Sequence, residues 1–445
     1  VARRRRRGSG GHPAKVAARR EREQRHQQPQ GSHAGSGDHD RDLADSLIKT
    51  AAGLGSAFEA ETFVSEILGS IWSERERIDP FAEHEELELE LGIPLIDALA
   101  EHSQPEARGL LAAFGFLGGA VFGAMAIERH DELAREGVDQ PGWAVQLGRS
   151  KPVRTVIARE EVFDDGSTVW VESEYPDGDR IAVGVFIDHN LGCAAKDIAL
   201  ADSIDQVIEL LNRSREQIDA FEPEILFEEV DVADAAARIL EAMAHTDSFA
   251  EAPVSEEYPL FRALAKERVV EIDLSKQEQA PRPEVDPEIR EQLLADFLSS
   301  EEASDASIEA GDDGAEAVSL AIDFASDYVD GRPLRWSPVV VELFMEDWFP
   351  RKITFAEELE PALPSALAAW IRFAGRRRGI PEEAIEQTLD SIDPSTEPMR
   401  EAIAADDLSP ATMLIRAAEE AGVDLTDQVA LDNFIAGWNA RSLEG

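Results

Sequence analysis

Within one short stretch the chain carries Asp188-His189-Asn190-Leu191-Gly192-Cys193, then Lys196-Asp197 and Asp202. Carboxylates and an imidazole are the donors a divalent cation takes, and an imidazole oriented by a carboxylate is a common general base. Asp188, His189 and Asp197 are therefore the candidate metal ligands, and the same three with Lys196 are the candidate catalytic set. Their spacing matches no diagnostic motif, and the residue types have a plain structural use as well. Asp and Asn bond nearby backbone groups in turns, Gly192 supplies conformational freedom, and Lys beside Asp is an ordinary surface pair. Cys193 has only His189 as a neighbouring base, which suits a small core or loop thiol better than a nucleophile.

Two groups of cations offer a different chemistry. Arg351 and Lys352 follow Trp348-Phe349-Pro350, while Arg376, Arg377 and Arg378 follow Trp370, Arg372 and Phe373. Cations interleaved with aromatic rings suit an anionic ligand. At the carboxyl end of a helix they also answer the negative dipole end and pair with acids such as Glu382 and Glu383. The second group is Arg3, Arg4, Arg5, Arg6 and Arg7. Up to Asp42 the chain holds 11 basic and 5 acidic residues, leaving 32 basic and 86 acidic residues, a net of −54, in the remainder. The run is a natural contact for phosphate or carboxylate, whereas the body repels nucleic acid and anionic membrane. Neutralising about five phosphates gives a log–log salt slope near −4.5, with attraction but no sequence reading. Contact with the acidic body and plain solubility are the competing roles for the arm.

Several function classes are excluded. The 445 residues contain no Gly-Lys-Ser/Thr phosphate loop and no metalloprotease histidine pair, and Gly53-Leu54-Gly55 is too short for a dinucleotide fingerprint. One cysteine rules out a disulfide framework and a cysteine-rich zinc cage, and a reducing, cytoplasmic setting fits best; with no cofactor motif in the chain, no cofactor is expected. Gly109 to Ile127 is 19 residues without a charge, but it is rich in glycine and alanine, has flanks of mixed charge and has no second span. It reads as a core helix with close neighbours, and no membrane span is expected.

The elements that position these residues follow from periodicity. Phe63, Ile67, Leu68, Ile71 and Trp72 form one face of a helix ending before Asp79-Pro80, and Leu87, Leu89 and Leu91 alternate with glutamates as in a short strand. Val153–Phe163, Ser167–Tyr175 and Asp179–Asp188 are rich in β-branched and aromatic residues and are separated by Asp164-Asp165-Gly166 and Pro176-Asp177-Gly178, so they form three antiparallel strands. Ser203 with Gln206 opens a helix through Arg215, a further strand lies near Ile225 to Val230, and Asp231 caps a helix through Met243. A helix runs from Asp286-Pro287 to Leu298. Ser299 to Glu316 has seven acids and no base, as linkers do. Prolines in Ser337-Pro338, Ile380-Pro381 and Ser409-Pro410 mark helix starts, and Gly379 closes a helix that begins near Pro361 and buries Leu363, Leu367, Trp370, Ile371 and Ala374. The fold class is α+β: a helical N-terminal region, a three-stranded antiparallel sheet with flanking helices, and a C-terminal helical bundle. The divisions are a disordered basic tail over 1–41, an α+β domain over 42–270, an acidic linker with one short helix over 271–316 and a helical domain over 317–445.

Ile187-Asp188-His189-Asn190-Leu191-Gly192 with Ala195-Lys196-Asp197, Gly331-Arg332-Pro333-Leu334, Asp347-Trp348-Phe349-Pro350-Arg351-Lys352 and Ala369-Trp370 through Gly379 resemble a family of uncharacterised actinobacterial proteins of unknown function. The resemblance covers most of the chain after the arm and implies no catalytic residue. Two functions are expected from the residues. The first is a cytosolic interaction or regulatory scaffold whose arm makes weak contact with nucleic acid or another polyanion, alongside an unidentified protein partner. The alternative is a metal-assisted hydrolase at Asp188, His189 and Asp197.

Overall fold

The computed structural model describes residues 36–74, 87–215, 223–249, 252–275 and 285–405, with 417, 418 and 434. Arg3 to Arg7, Asp79-Pro80 and Ser409-Pro410 lie outside the described residues.

A helical layer opens the described chain: α1 (Ser36–Ala51), α2 (Ala57–Ser73), a π-helical turn (Glu88–Gly92), α3 (Ile93–Ala100), α4 (Pro105–Leu117) and α5 (Ala120–Arg135). Leu47, Val64, Leu68, Leu99, Leu110 and Phe114 share its core. Residues 36–41, assigned from sequence to a disordered tail, are helical, and Arg41 pairs with Glu101 at 2.9 Å. Leu87 to Leu91 is helical rather than a strand. Glu88 is buried there because it accepts the Gly119 N–H at 2.7 Å, so the alternation of Leu and Glu did not mark a wet and a dry face. The uncharged segment is two helices broken at Gly118-Gly119 instead of one. A Cβ on Gly115 would lie 2.3 Å from Ile127 Cδ1, so the small residue lets α4 and α5 pack closely. Among the described residues no helix is long and apolar enough to cross a membrane.

The sheet has five strands, which corrects the expected three: β1 (Lys151–Glu160), β2 (Gly166–Glu174), β3 (Arg180–Asp188), β4 (Ala194–Ala201) and, after α6 (Ile204–Arg215), β5 (Ile225–Glu229). Their order is β4-β3-β2-β1-β5 and every pair is antiparallel. β4 gives no strand signal in the sequence because half of it is alanine, a weak strand former, and because its pairing skips Lys196: Phe186 faces Asp197 while Ile187 faces Ala195. β5, expected as a separate strand, adds to the free edge of β1. One sheet face packs Ile157, Val169 and Val185 on Ile239 and Met243 of α7 (Val232–Asp247) and Tyr258 of α8 (Glu257–Glu267). The other packs Val156 and Trp170 on Ile204 and Val207 of α6. Caps read from sequence hold: Ser203 accepts the Gln206 N–H at 3.2 Å, and Asp231 accepts the Ala233 N–H at 2.9 Å.

The second unit is helical: α9 (Pro287–Leu298), α10 (Glu301–Asp305), α11 (Asp313–Phe324), α12 (Pro338–Glu342), α13 (Phe349–Lys352), α14 (Ala356–Leu359), α15 (Leu363–Arg378), α16 (Glu382–Leu389) and α17 (Ile392–Ala404). Residues 299–316, read as linker, are part of this unit. Their acids outline two helix starts at Ser300 and Asp312, while Ala303, Ile308 and Ala315 enter the same core as Phe297 and Trp370. Gly379 closes α15 at φ 71°, a left-handed conformation that favours glycine.

Candidate functional site at the junction of the two units

Three connections meet where the units touch. The β1–β2 loop brings Phe163, Asp164 and Asp165, the β3–β4 loop brings His189 and Asn190, and the chain before α12 brings Asp330, Arg332, Arg335 and Ser337. Val162 and Phe163 pack against Ala384 and Ile380 beside them. Asp164 adopts φ 52°, and Gly192 and Cys193 adopt φ 67° and 64°, so both loops turn through left-handed backbone.

Arg335 is at the centre and is 1% exposed. Its guanidinium donates to Asp330 Oδ2 (2.8 Å), Asp165 Oδ1 (3.0 Å), the Phe163 carbonyl (3.3 Å) and Asn190 Oδ1 (2.6 Å). The same Asp165 oxygen also accepts from Asn190 Nδ2 at 3.0 Å and from the Ser337 hydroxyl at 2.6 Å. Ser337 in turn accepts the Val340 N–H, so one side chain caps α12 and ties it to the sheet. Burial pushes the Asp165 carboxyl above its ordinary value, against the pull of Arg335, Ser337 and Asn190. Arg332 bridges Asp330 and Asp164. Burial also opposes ionisation of Asp164, but hydrogen bonding from His189 and Arg332 and the charge of Arg332 outweigh it and hold its carboxyl well below the usual range.

The candidate metal ligands separate. Asp188 accepts from Lys196 Nζ at 2.9 Å and from the Asn190 N–H at 2.9 Å. Asp197 turns to the other side, where it accepts from the Ser255 hydroxyl at 2.5 Å. His189 Nδ1 lies 2.9 Å from the Asp164 carbonyl and 3.5 Å from its Oδ1, and Nε2 lies 3.1 Å from the Ser167 hydroxyl. Among the described residues no group of three His, Cys, Asp or Glu side chains could hold a metal ion. Cys193 is exposed.

Local spacing does not group Ser167, Asp164, Asp165, Asp330, Arg332, Arg335 and Ser337 into one cluster. One signal was available: an arginine beside Trp336 in a −48 chain, preceded at five residues by an aspartate, is a buried-pair pattern.

A cleft of about 430 Å³ opens next to the cluster, between the sheet, α6 and α12. Apolar Phe186, Leu211, Ile225 and Val339 line it together with charged Arg159, Asp188, Lys196 and Glu342. Burial, and then the charge of Glu346, raise the Glu342 carboxyl above its ordinary value.

The basic candidates divide. Arg351 pairs with Asp347 at 3.1 Å and Lys352 lies 6.0 Å from the Tyr328 ring centre. Arg376 pairs with Glu302 at 2.8 Å and Arg377 with Asp296 at 2.7 Å, replacing the expected partners Glu382 and Glu383. Arg378 instead reaches the Val162 carbonyl at 3.3 Å.

No family model, no curated protein and no solved structure matches the chain.

Proposed function

We propose that this chain is a cytosolic interaction or regulatory protein: a two-unit scaffold carrying a basic arm that contacts nucleic acid or another polyanion. The observation that supports the scaffold is the state of Arg335. It bonds four acceptors drawn from three separate segments, and Asp165 and Asn190 are likewise engaged by the groups that join the units. Polar groups gathered this way fix one relative placement of two surfaces, a use for which a buried, extensively bonded network is suited. The arm rests on charge alone, since Arg3 to Arg7 oppose a strongly acidic remainder. The test compares duplex DNA and heparin binding of the full chain, a variant lacking residues 1–35, and one with Arg3 to Arg7 changed to Gln, across a salt series. Equal affinity in all three would overturn the arm's role.

A second reading is hydrolysis. Its support is the run Ser167–His189–Asp164, in which Nδ1 faces the carbonyl and carboxylate of Asp164 while Nε2 faces a hydroxyl, the order of a nucleophile, base and orienting group. This reading needs no metal. Hydrolysis of activated esters that disappears in Ser167→Ala and His189→Gln would replace the scaffold reading with it.

A further inference from the structure

On the other side of Arg335 lies a second recess of about 430 Å³, within the range of small-ligand sites. Ile289 and Leu293 of α9 with Pro333 and Leu334 form its apolar wall, and Arg332, Arg335 and Arg378 supply its cations. Ile289 is 52% exposed, so the wall keeps an aliphatic side chain in water.

Arg378 stands apart from its neighbours. Arg332, Arg335, Arg376 and Arg377 all have carboxylate partners, whereas the bond of Arg378 to the Val162 carbonyl is long at 3.3 Å and uses one of its several N–H donors. Burial, then the like charges of Arg332 and Arg335, work against its charged form and outweigh the pull of Asp164 and Asp330. Its guanidinium is half-buried and, among the described residues, has no carboxylate at ion-pair distance. An anion entering the recess would relieve it with paired, charge-assisted bonds, and Arg332, whose side chain is 40% exposed, borders the same space.

We infer that this recess binds a small amphiphilic organic anion, with a carboxylate or phosphate head on Arg378 and an apolar body along Ile289, Leu293, Pro333 and Leu334. Neither part suffices alone. The head satisfies a cation whose neighbouring carboxylates are already engaged by Arg332 and Arg335, and the body covers the exposed aliphatic wall. The site is independent of the basic arm and of the cleft beside α6.

Calorimetric titration of the full chain with octanoate, octyl phosphate, octanol and inorganic phosphate tests this. One or both amphiphilic anions bind saturably below millimolar, and which one does so names the head group. Octanol and inorganic phosphate bind about tenfold more weakly or not at all. Arg378→Gln removes one weak bond and so leaves the thermal midpoint nearly unchanged, but weakens the bound amphiphile about tenfold or more. Ile289→Ser, at an exposed position, weakens it severalfold while leaving any binding of inorganic phosphate unaltered. The proposal fails if neither amphiphile saturates, if inorganic phosphate binds as tightly as octyl phosphate, or if both variants bind as the parent does.

Discussion

Arg335 Nη2 donates to Asn190 Oδ1 at 2.6 Å, joining residues 145 apart in the chain. The contact orients the amide, because Asn190 Nδ2 must then face Asp165 Oδ1, and Asp165 in turn receives Arg335 and Ser337. A loop of the sheet and the start of α12 are thereby held by one connected set of bonds. Its members depend on one another, since each buried group that loses its partner is left unsatisfied.

Arg335→Met leaves Asp165 and Asp330 buried without their shared cation. Breaking a buried pair from one side costs about 3–5 kcal/mol. Urea unfolding should register a loss of that size, and a double-mutant cycle with Asn190→Ala should give a coupling above about 0.5 kcal/mol. A variant as stable as the parent would show that the junction does not depend on this arginine.

Glu267 gives a pH signature. Burial first, then the charges of Glu271 and Glu61, raise its carboxyl from 4.5 to about 7 despite Lys266 and Arg268. A raised folded value means the folded state holds the proton more tightly, so this contribution is fully present below pH 4.5 and is lost as pH rises through about 7. Thermal unfolding from pH 4.5 to 8 should show Glu267→Gln losing this part of the decline. Parallel pH curves for parent and variant would contradict it.

Gly69 of α2 lies against α8, where an added Cβ would be 2.2 Å from the Pro259 carbonyl oxygen. The obstacle is backbone, which cannot rotate away, so Gly69→Ala should destabilise by about 1–3 kcal/mol although alanine favours helix. Equilibrium denaturation measures it, and a neutral or stabilising result would mean that α2 and α8 pack less closely.

The basic arm predicts a salt slope. If Arg3 to Arg7 neutralise about five phosphates, the log binding constant should fall with log salt at about −4.5. Deleting residues 1–35 should flatten the slope. A salt-independent affinity would exclude phosphate contact as its source.

How much of this was legible depended on range. The first three strands were readable from β-branched alternation between turn signals, and the caps at Ser203 and Asp231 and the helix start at Pro338 from residues local to the helices they begin. β4 was not, because its alanines and the ladder position skipped at Lys196 erase the alternation. The region after β3 did hold polar groups of the junction, yet grouping Asp188, His189 and Asp197 ignored strand geometry. Neighbouring residues at a strand end project to opposite sides. Asp188 goes to Lys196, while His189 goes to Ser167 and Asp164.

By itself the sequence determined the α+β class, the charge contrast between arm and body, the helix starts at Ser203, Asp231 and Pro338 and the helix end at Gly379, because each follows from local pattern and composition. Only the tertiary structure decided that Asp164, Asp165, Asn190, Asp330, Arg332 and Arg335 form one cluster and that Arg378 meets no carboxylate among the described residues. Those outcomes rest on contacts spanning more than a hundred residues, as between Arg335 and Asn190. Which acid an arginine meets there is set by how two cores pack, and no local spacing encodes it.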